Sequence, residues 1–125
     1  MVLLDSSVII AYFRENERDH KRAEKIFDEN RELRIPDFVL SEVLTVLKIR
    51  ESMGKMVQAL EFLINSEGIE IFYTDEDMFD SALGHFAANK NALSFVDTVL
   101  LKISEAQKTP LMTFDKELAK IASRR

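Results

Sequence analysis

Short continuous apolar runs alternate along this chain with longer stretches in which apolar residues recur at helical spacing. Val2-Leu3-Leu4 has the unbroken apolar character of a buried strand, and Asp5-Ser6-Ser7 ends it. Val8 to Phe13 then reads as the opening of a helix. Asp19 to Asn30 is strongly charged, with Ala23, Ile26 and Phe27 as a narrow inward stripe, the pattern of an amphipathic helix with one wet face. Leu33-Arg34-Ile35 predicts a second strand closed by Pro36. Asp37 stands where it can cap a helix from Phe38 to about Ser52. Gly54 is expected to break the chain before a further helix, Met56 to Asn65, which Gly68 stops. Ile69 to Tyr73 is β-branched and aromatic, a third strand by composition. Thr74 or Asp75 caps the next helix, which runs to about Ala88 with Phe79, Ala82, Leu83 and Phe86 as its stripe and Gly84 suited to close helix packing. Asn89-Lys90-Asn91 turns the chain into a nearly all-apolar helix that starts after Ser94. Pro110 to Thr113 is the last strand, and Asp115 opens a final short helix.

Strands and helices alternate and no tight hairpin signal occurs. That order predicts an α/β fold: a single three-layer α/β/α domain over residues 1–125 with a central parallel sheet. Hydrophobic residues at 46% and charged residues at 31% support a packed globular core over a disordered chain. The absence of cysteine excludes disulfides, thiolate catalysis and cysteine-ligated zinc. No apolar run reaches the roughly 18–20 residues of a membrane span, and Met1 leads straight into Val2 without the basic start of a signal peptide. A cytoplasmic location with no membrane partner is the expectation. The formal charge of −5 argues against gripping nucleic acid by bulk electrostatics. Lys116 to Arg125 carries four basic groups and one acidic group, which reads as a solvated tail or a local basic edge.

Four acids resist a bland reading. Asp97 stands inside the apolar run Phe95, Val96, Val99, Leu100, Leu101, Ile103, with Leu93, Leu100 and Leu101 at helical spacing, so its carboxylate is expected on the apolar face. A carboxylate removed from water without a partner is costly, so it calls for a counter-ion or a metal. Glu42 lies mid-helix in Phe38-Val39-Leu40-Ser41-Glu42-Val43-Leu44, where no cap is needed, and neither Lys48 nor Arg50 is at i+3 or i+4. Asp5 and Asp115 follow the first and last strands. N-capping explains Asp5 and Asp115 equally well, and a capping box with Ser94 would serve for Asp97. Taken together, however, the four fall where an open parallel sheet binds ligands, outside the C-terminal strand ends. Two carboxylates ~5 Å apart repel by roughly 3 kcal/mol at an effective dielectric of about 20. All-oxygen ligation of this kind suits Mg²⁺ or Mn²⁺ better than zinc.

These residues carry a resemblance. Val2-Leu3-Leu4-Asp5-Ser6-Ser7-Val8-Ile9-Ile10, Ser41-Glu42, Leu93-Ser94-Phe95-Val96-Asp97 and Thr113-Phe114-Asp115-Lys116-Glu117-Leu118, in that order, resemble the PIN-domain nucleases, most of all the small stand-alone VapC-type toxins. The resemblance implies a sheet of order 3-2-1-4-5, although the chain offers only four clear strands. It implies that Asp5, Glu42, Asp97 and Asp115 are the catalytic carboxylates and hold one or two Mg²⁺ or Mn²⁺ ions. Ser7, Ser94 and Thr113 would support them by hydrogen bonds. The implied activity is metal-assisted endonucleolytic hydrolysis of RNA, with backbone N–H groups of the helix after Asp5 helping to receive the phosphate. The implied partners are an RNA substrate, a cognate antitoxin protein of a type II toxin–antitoxin pair, and a second copy in a homodimer. An RNA-processing PIN nuclease that is not a toxin fits the same acids.

A phosphoacceptor receiver domain would use Asp5, Asp75 and Lys116, but it wants an acidic pair where this chain has Asp5-Ser6-Ser7, and it leaves Glu42 and Asp97 unexplained. A haloacid-type phosphatase wants Asp-x-Asp at the first strand end, and Ser7 excludes it. No glycine-rich phosphate loop is present, since Gly54, Gly68 and Gly84 are isolated.

Overall fold

The computed structural model describes residues 1–124. Four strands and seven helices follow one another as β1 (Val2–Leu4), α1 (Ser6–Phe13), α2 (His20–Glu29), β2 (Leu33–Pro36), α3 (Asp37–Arg50), α4 (Met53–Asn65), β3 (Ile69–Phe72), α5 (Glu76–Ala88), α6 (Phe95–Gln107), β4 (Leu111–Met112) and α7 (Lys116–Ala122). The sheet is wholly parallel, in the order β3-β2-β1-β4. Strands β1 to β3 add successively on one side, and the chain then crosses back to place β4 against the other edge of β1. Right-handed crossovers put α1 to α4 on one face and α5 and α6 on the other. Helix contacts agree: α1 packs on α2 and α3, α3 on α4, and α5 on α6. The strand order therefore reverses between β1 and β4, and that is where such sheets open a crevice at their C-terminal ends.

The core joins sheet and helices. Leu3, Leu4 and Ile35 from the strands, Val8 and Ile9 from α1, Val39, Val43 and Leu47 from α3, Leu63 from α4, Leu100 and Ile103 from α6, and Leu118 from α7 are all fully buried. β1 is buried at all three of its residues, as expected of a strand flanked on both sides and covered on both faces.

Several boundaries differ from the sequence expectation, each for a local reason. Ser52 closes the gap between α3 and α4: its Oγ accepts the Lys55 N–H at 3.0 Å, so α4 begins at Met53 and Gly54 lies inside it. Asp37 is the first residue of α3. Its Oδ1 accepts the Phe38 N–H at 2.9 Å and also the Thr74 hydroxyl at 3.0 Å, tying the start of α3 to the loop after β3. With Thr74 so engaged, Asp75 caps α5 by accepting the Met78 N–H at 2.8 Å. The fifth strand of the expected order is absent among the described residues, because the segment after β4 is helical: Asp115 caps α7 and Leu118 fills the core. Of the basic residues near the C-terminus, Lys116 and Lys120 ride on α7, and Arg125 lies outside the described residues.

Two glycines have opposite roles. Gly68 has φ +85°, and a Cβ there would run into the backbone carbonyl of Arg31. A Cβ on Gly84 of α5 would meet nothing within 4 Å, so Gly84 serves no close packing, contrary to its expected role. Gly68→Ala should cost roughly 1–3 kcal/mol, whereas Gly84→Ala should stabilise by about 0.5–1 kcal/mol. Urea unfolding midpoints check both; midpoints moving in the same direction would refute the assignment.

Candidate active site

Asp5 ends the central strand and is almost buried, with 6% of its surface exposed. Its Oδ1 accepts the Ser6 N–H at 2.8 Å, so it caps α1. Its Oδ2 accepts the Ser7 hydroxyl at 2.8 Å and the Thr113 hydroxyl at 2.7 Å. Each hydroxyl, having given its proton to Asp5, accepts a backbone N–H: Ser7 from Phe114 at 3.0 Å and Thr113 from Asp115 at 3.1 Å. The 3.4 Å approach of the two hydroxyls therefore has no proton left to share. Asp5 is thereby fastened to the segment that carries Asp115, across the seam between β1 and β4. Asp115 itself caps α7, its Oδ1 accepting the Leu118 N–H at 2.9 Å, while its side chain stays exposed.

Asp97 occupies the first turn of α6, and its N–H donates to the Oγ of Ser94 at 3.1 Å. It is half-buried and does not join the apolar face as the sequence suggested; Thr98, Val99, Leu100, Leu101 and Ile103 form the buried side. Burial raises its carboxyl pKa above the ordinary 3.8. Hydrogen bonds from the Ser94 side chain and backbone oppose that shift, and the charges of Asp5 and Asp115 reinforce it. Acids from two other segments thus act on Asp97. Glu42 is exposed on α3, and no hydrogen bond or ion pair engages it among the described residues.

All four acids line one cavity of about 610 Å³, together with Ser6, Ser7, Phe38, Ser41, Thr45, Val46, Ser94 and Val96. No lysine, arginine or histidine lines it, and none of the four acids forms an ion pair among the described residues. The donor set is entirely oxygen, which suits a hard divalent cation. Among the described residues no three acidic or histidine side chains converge tightly enough to form a ready-made metal cage. Mg²⁺, which keeps several waters and takes one or two carboxylates directly, does not require such a cage.

Of the residues proposed from sequence, Asp5, Ser7, Glu42, Ser94, Asp97 and Asp115 share the cavity wall, and Thr113 reaches it through Asp5. Phe38, Thr45 and Val46 join the wall without a role expected from sequence. They flank Glu42 at i−4, i+3 and i+4, and helical spacing around Glu42 is the signal that finds them. The turn after Asp5 is less free to take a phosphate than expected. Asp5 itself already engages the Ser6 N–H through its carboxylate and the Val8 N–H through its carbonyl, the latter at 3.2 Å. The receiver arrangement fails on position: Asp75 lines a different cavity, with Asp77, Met78, Ser81 and Lys102.

The four acids without a cationic side chain, at the switch point of a wholly parallel sheet, put the chain in the class of α/β proteins whose ligand site lies outside the C-terminal strand ends. Within that class the chain belongs to the PIN-domain family, whose profile matches residues 2–124. PIN domains are nucleases that generally use divalent metal ions. Among solved structures, Mycobacterium tuberculosis VapC20, described as a sarcin–ricin-loop-cleaving toxin, superposes with a TM-score of 0.87 at 18% identity, over 97% of this chain and 95% of that one. FitAcB from Neisseria gonorrhoeae gives a TM-score of 0.72 at 16% identity, over 98% and 94%. At these identities the likeness is one of fold. No curated protein matches the chain by sequence. Among the described residues no helix is long and apolar enough to cross a membrane.

The raised pKa of Asp97 has a sign that stability measurements can read. A carboxyl whose pKa is higher in the folded state favours folding below its unfolded pKa and loses that contribution as pH rises through its folded pKa. At neutral pH the ionised group therefore works against the metal-free fold. Asp97→Asn should raise the melting temperature of metal-free protein at pH 7 by about 1–3 °C, and the gain should fade towards pH 4. A loss of stability at pH 7 would mean that capping by Asp97 outweighs its repulsion from Asp5 and Asp115.

Proposed function

We propose that this PIN domain is a Mg²⁺- or Mn²⁺-dependent endoribonuclease, the toxin component of a type II toxin–antitoxin pair. The observation that carries the reading is the meeting of Asp5, Glu42, Asp97 and Asp115, from four separate segments, in one cavity without a cationic side chain. We assign these four as the metal-holding, catalytic carboxylates of a fold that spans residues 1–125 as one domain. A bound divalent ion would supply Lewis acidity toward the phosphodiester and the attacking water, and would neutralise charge that develops on the leaving oxygen.

The chain's own groups then have distinct tasks. Ser7 and Thr113 fix both the position and the orientation of the Asp5 carboxylate, which is also held by the Ser6 N–H. Ser94 holds the turn that presents Asp97. Glu42, exposed and without a partner among the described residues, can swing to meet an ion or a water that the other three do not reach. Ser41 places a hydroxyl beside it that suits donation to a phosphate oxygen, Thr45, whose own proton goes to the Ser41 carbonyl at 2.9 Å, can accept from a ribose 2′-hydroxyl, and Phe38 gives the cavity an aromatic face for an unpaired base. With the four site acids set aside, the rest of the chain is close to neutral, so its overall charge of −5 does not oppose an RNA substrate. The toxin assignment, with an antitoxin protein and a second copy of the chain as partners, draws its support from the VapC20 likeness in fold over nearly the whole chain.

Purified protein should cut structured RNA internally when Mg²⁺ or Mn²⁺ is present and stop when EDTA is added. Asp5→Asn, Glu42→Gln and Asp97→Asn should each lower the rate by about a hundredfold or more while retaining a cooperative melt. Cleavage that persists in EDTA, or that survives all three substitutions, would defeat the proposal. Induced expression should arrest growth with the wild-type chain and not with Asp5→Asn; arrest by neither would leave a processing nuclease as the better reading.

A further inference from the structure

Because the sheet is wholly parallel, the C-terminal ends of its strands lie along one edge in the order β3, β2, β1, β4. The residues that follow the strands stand in the same order: Tyr73 after β3, Asp37 and Phe38 after β2, Asp5 after β1, and Asp115 beyond β4. Adjacent strands are about 4.8 Å apart, so the end of β3 lies roughly 10 Å from that of β1. The carboxylate cavity occupies one part of this edge, with Phe38 in its wall. Tyr73 marks the far part.

Aromatic packing sets these two rings apart. Every other phenylalanine and tyrosine of the described residues packs against a second ring or lies under an arginine guanidinium, as Phe79 and Phe86 do against Phe95 at 5.2 and 5.6 Å. Phe38 and Tyr73 do neither. Tyr73 is also the most exposed of the large hydrophobic residues, at 79%. An exposed tyrosine alone is ordinary, but this one stands on a fixed backbone. Phe72 before it pairs with Pro36 in the last rung between β2 and β3. Thr74 after it donates its N–H at 3.3 Å and its hydroxyl at 3.0 Å to Asp37 Oδ1, the atom that also accepts the Phe38 N–H. One carboxylate oxygen thus fixes the chain beside both unpartnered rings.

The charges around Tyr73 argue against a grip on phosphate. Asp37 lies beside it, and Asp75, Glu76 and Asp77 follow it. Arg34 of the adjoining β2 is taken by Glu70 at 2.7 Å, and Lys102, in the cavity that Asp75 lines, by Glu105 at 3.6 Å. An aromatic face needs no cation to hold a base, and a face already fixed in place loses little freedom on doing so.

We propose that Tyr73 is an outer subsite that stacks an unpaired base of the RNA, while Phe38 stacks another beside the acids. A single-stranded segment is thereby laid across the strand ends, from β1 toward β3. The inference rests on the nuclease reading and adds where the substrate lies and that it is unpaired there. In a duplex each base has its faces covered by its neighbours, and both rings need an open face.

The probe is an end-labelled, single-stranded RNA of random sequence, about sixteen nucleotides long, since stacking tolerates any base. With Mg²⁺ present and Glu42→Gln slowing cleavage, Tyr73→Ala should weaken its binding by about fivefold or more in fluorescence anisotropy, and Tyr73→Phe and Tyr73→Trp should retain it. The chain has no tryptophan, so Tyr73→Trp supplies a single indole whose emission the single strand should quench and a blunt RNA duplex should not. With Glu42 restored, Tyr73→Ala should slow cleavage at limiting RNA by the same factor and leave the saturated rate within about twofold. Equal affinity of the Tyr73→Ala and unsubstituted chains overturns the inference and leaves the nuclease reading standing, whereas a chain that neither binds nor cuts the RNA with Mg²⁺ overturns both. Quenching by duplex equal to that by single strand also counts against it. Equal affinity with a shift in sedimentation on Tyr73→Ala gives the ring to a protein interface instead.

Discussion

Two hydroxyls and one amide hold the Asp5 carboxylate at the place where the sheet changes direction, and the other features of the site are arranged around that contact. β1 is the central strand and is buried at every residue, so its C-terminal end has little freedom of its own. β4 is only two residues long and contributes little ladder to hold its own C-terminal end. The Ser7 and Thr113 hydroxyls compensate by tying that end, through Asp5, to the most rigid strand in the molecule. Asp115 takes its position from the same web, because its backbone N–H is bound to Thr113. Loss of either hydroxyl would loosen a carboxylate on one strand and the chain direction after the other.

The acids of the crevice do two physical jobs that pull against each other. Asp5, Asp97 and Asp115 each stand at or within the first turn of a helix, where a negative group is favourable to the exposed N–H groups and the helix dipole. Helix capping thus lowers the cost of bringing three carboxylates to one crevice. It does not remove that cost, and the pKa of Asp97 records the remainder: burial and two like charges outweigh what Ser94 contributes. The two explanations that compete for these residues in the sequence, cap or ligand, turn out to be compatible, since capping engages only some of the acceptor positions on each carboxylate.

Much of the fold can be read from the sequence because its signals are local. Val2-Leu3-Leu4, the charged stripe of α2 and the β-branched run of β3 each declare their structure within a few residues, and a parallel α/β order follows from their alternation. What cannot be read depends on distant partners. Thr74 competes for Asp37 from across the sheet, which moves the cap of α5 to Asp75. Ser52 caps α4 and thereby makes Gly54 an ordinary helical residue. The orientation of Asp97 escapes the sequence even though the helix start after Ser94 is read correctly: that start leaves Leu93 outside the helix, and a residue in a first turn can face a crevice even when the rest of its helix is buried. The fifth strand is suggested by resemblance and by no residue of the chain, and α7 occupies that segment. For the site, Glu42 and Asp97 are visible as acids among apolar residues and Asp5 and Asp115 as acids at strand ends, whereas Ser7 is suggested only by resemblance and the direct bond of Thr113 to Asp5 requires the register of β1 against β4.

The electrostatics of the crevice also bear on the order of events at it. A polyanion approaching a cavity lined by four acids and no base meets repulsion on every side, and α1 has already spent two of its first N–H groups on Asp5. The hydroxyl of Ser41 can orient a phosphate but cannot offset that charge, and Thr45 has already given its proton to the Ser41 carbonyl. For the proposed nuclease, neutralisation of the carboxylates is therefore a condition for RNA to enter, before it is a means of cleaving it. On that reading the site would discriminate by charge first and by shape second: without a divalent ion it would exclude nucleic acid, and with one it would present a neutralised floor, the Ser41 hydroxyl and the ring of Phe38 to a single-stranded segment at its mouth.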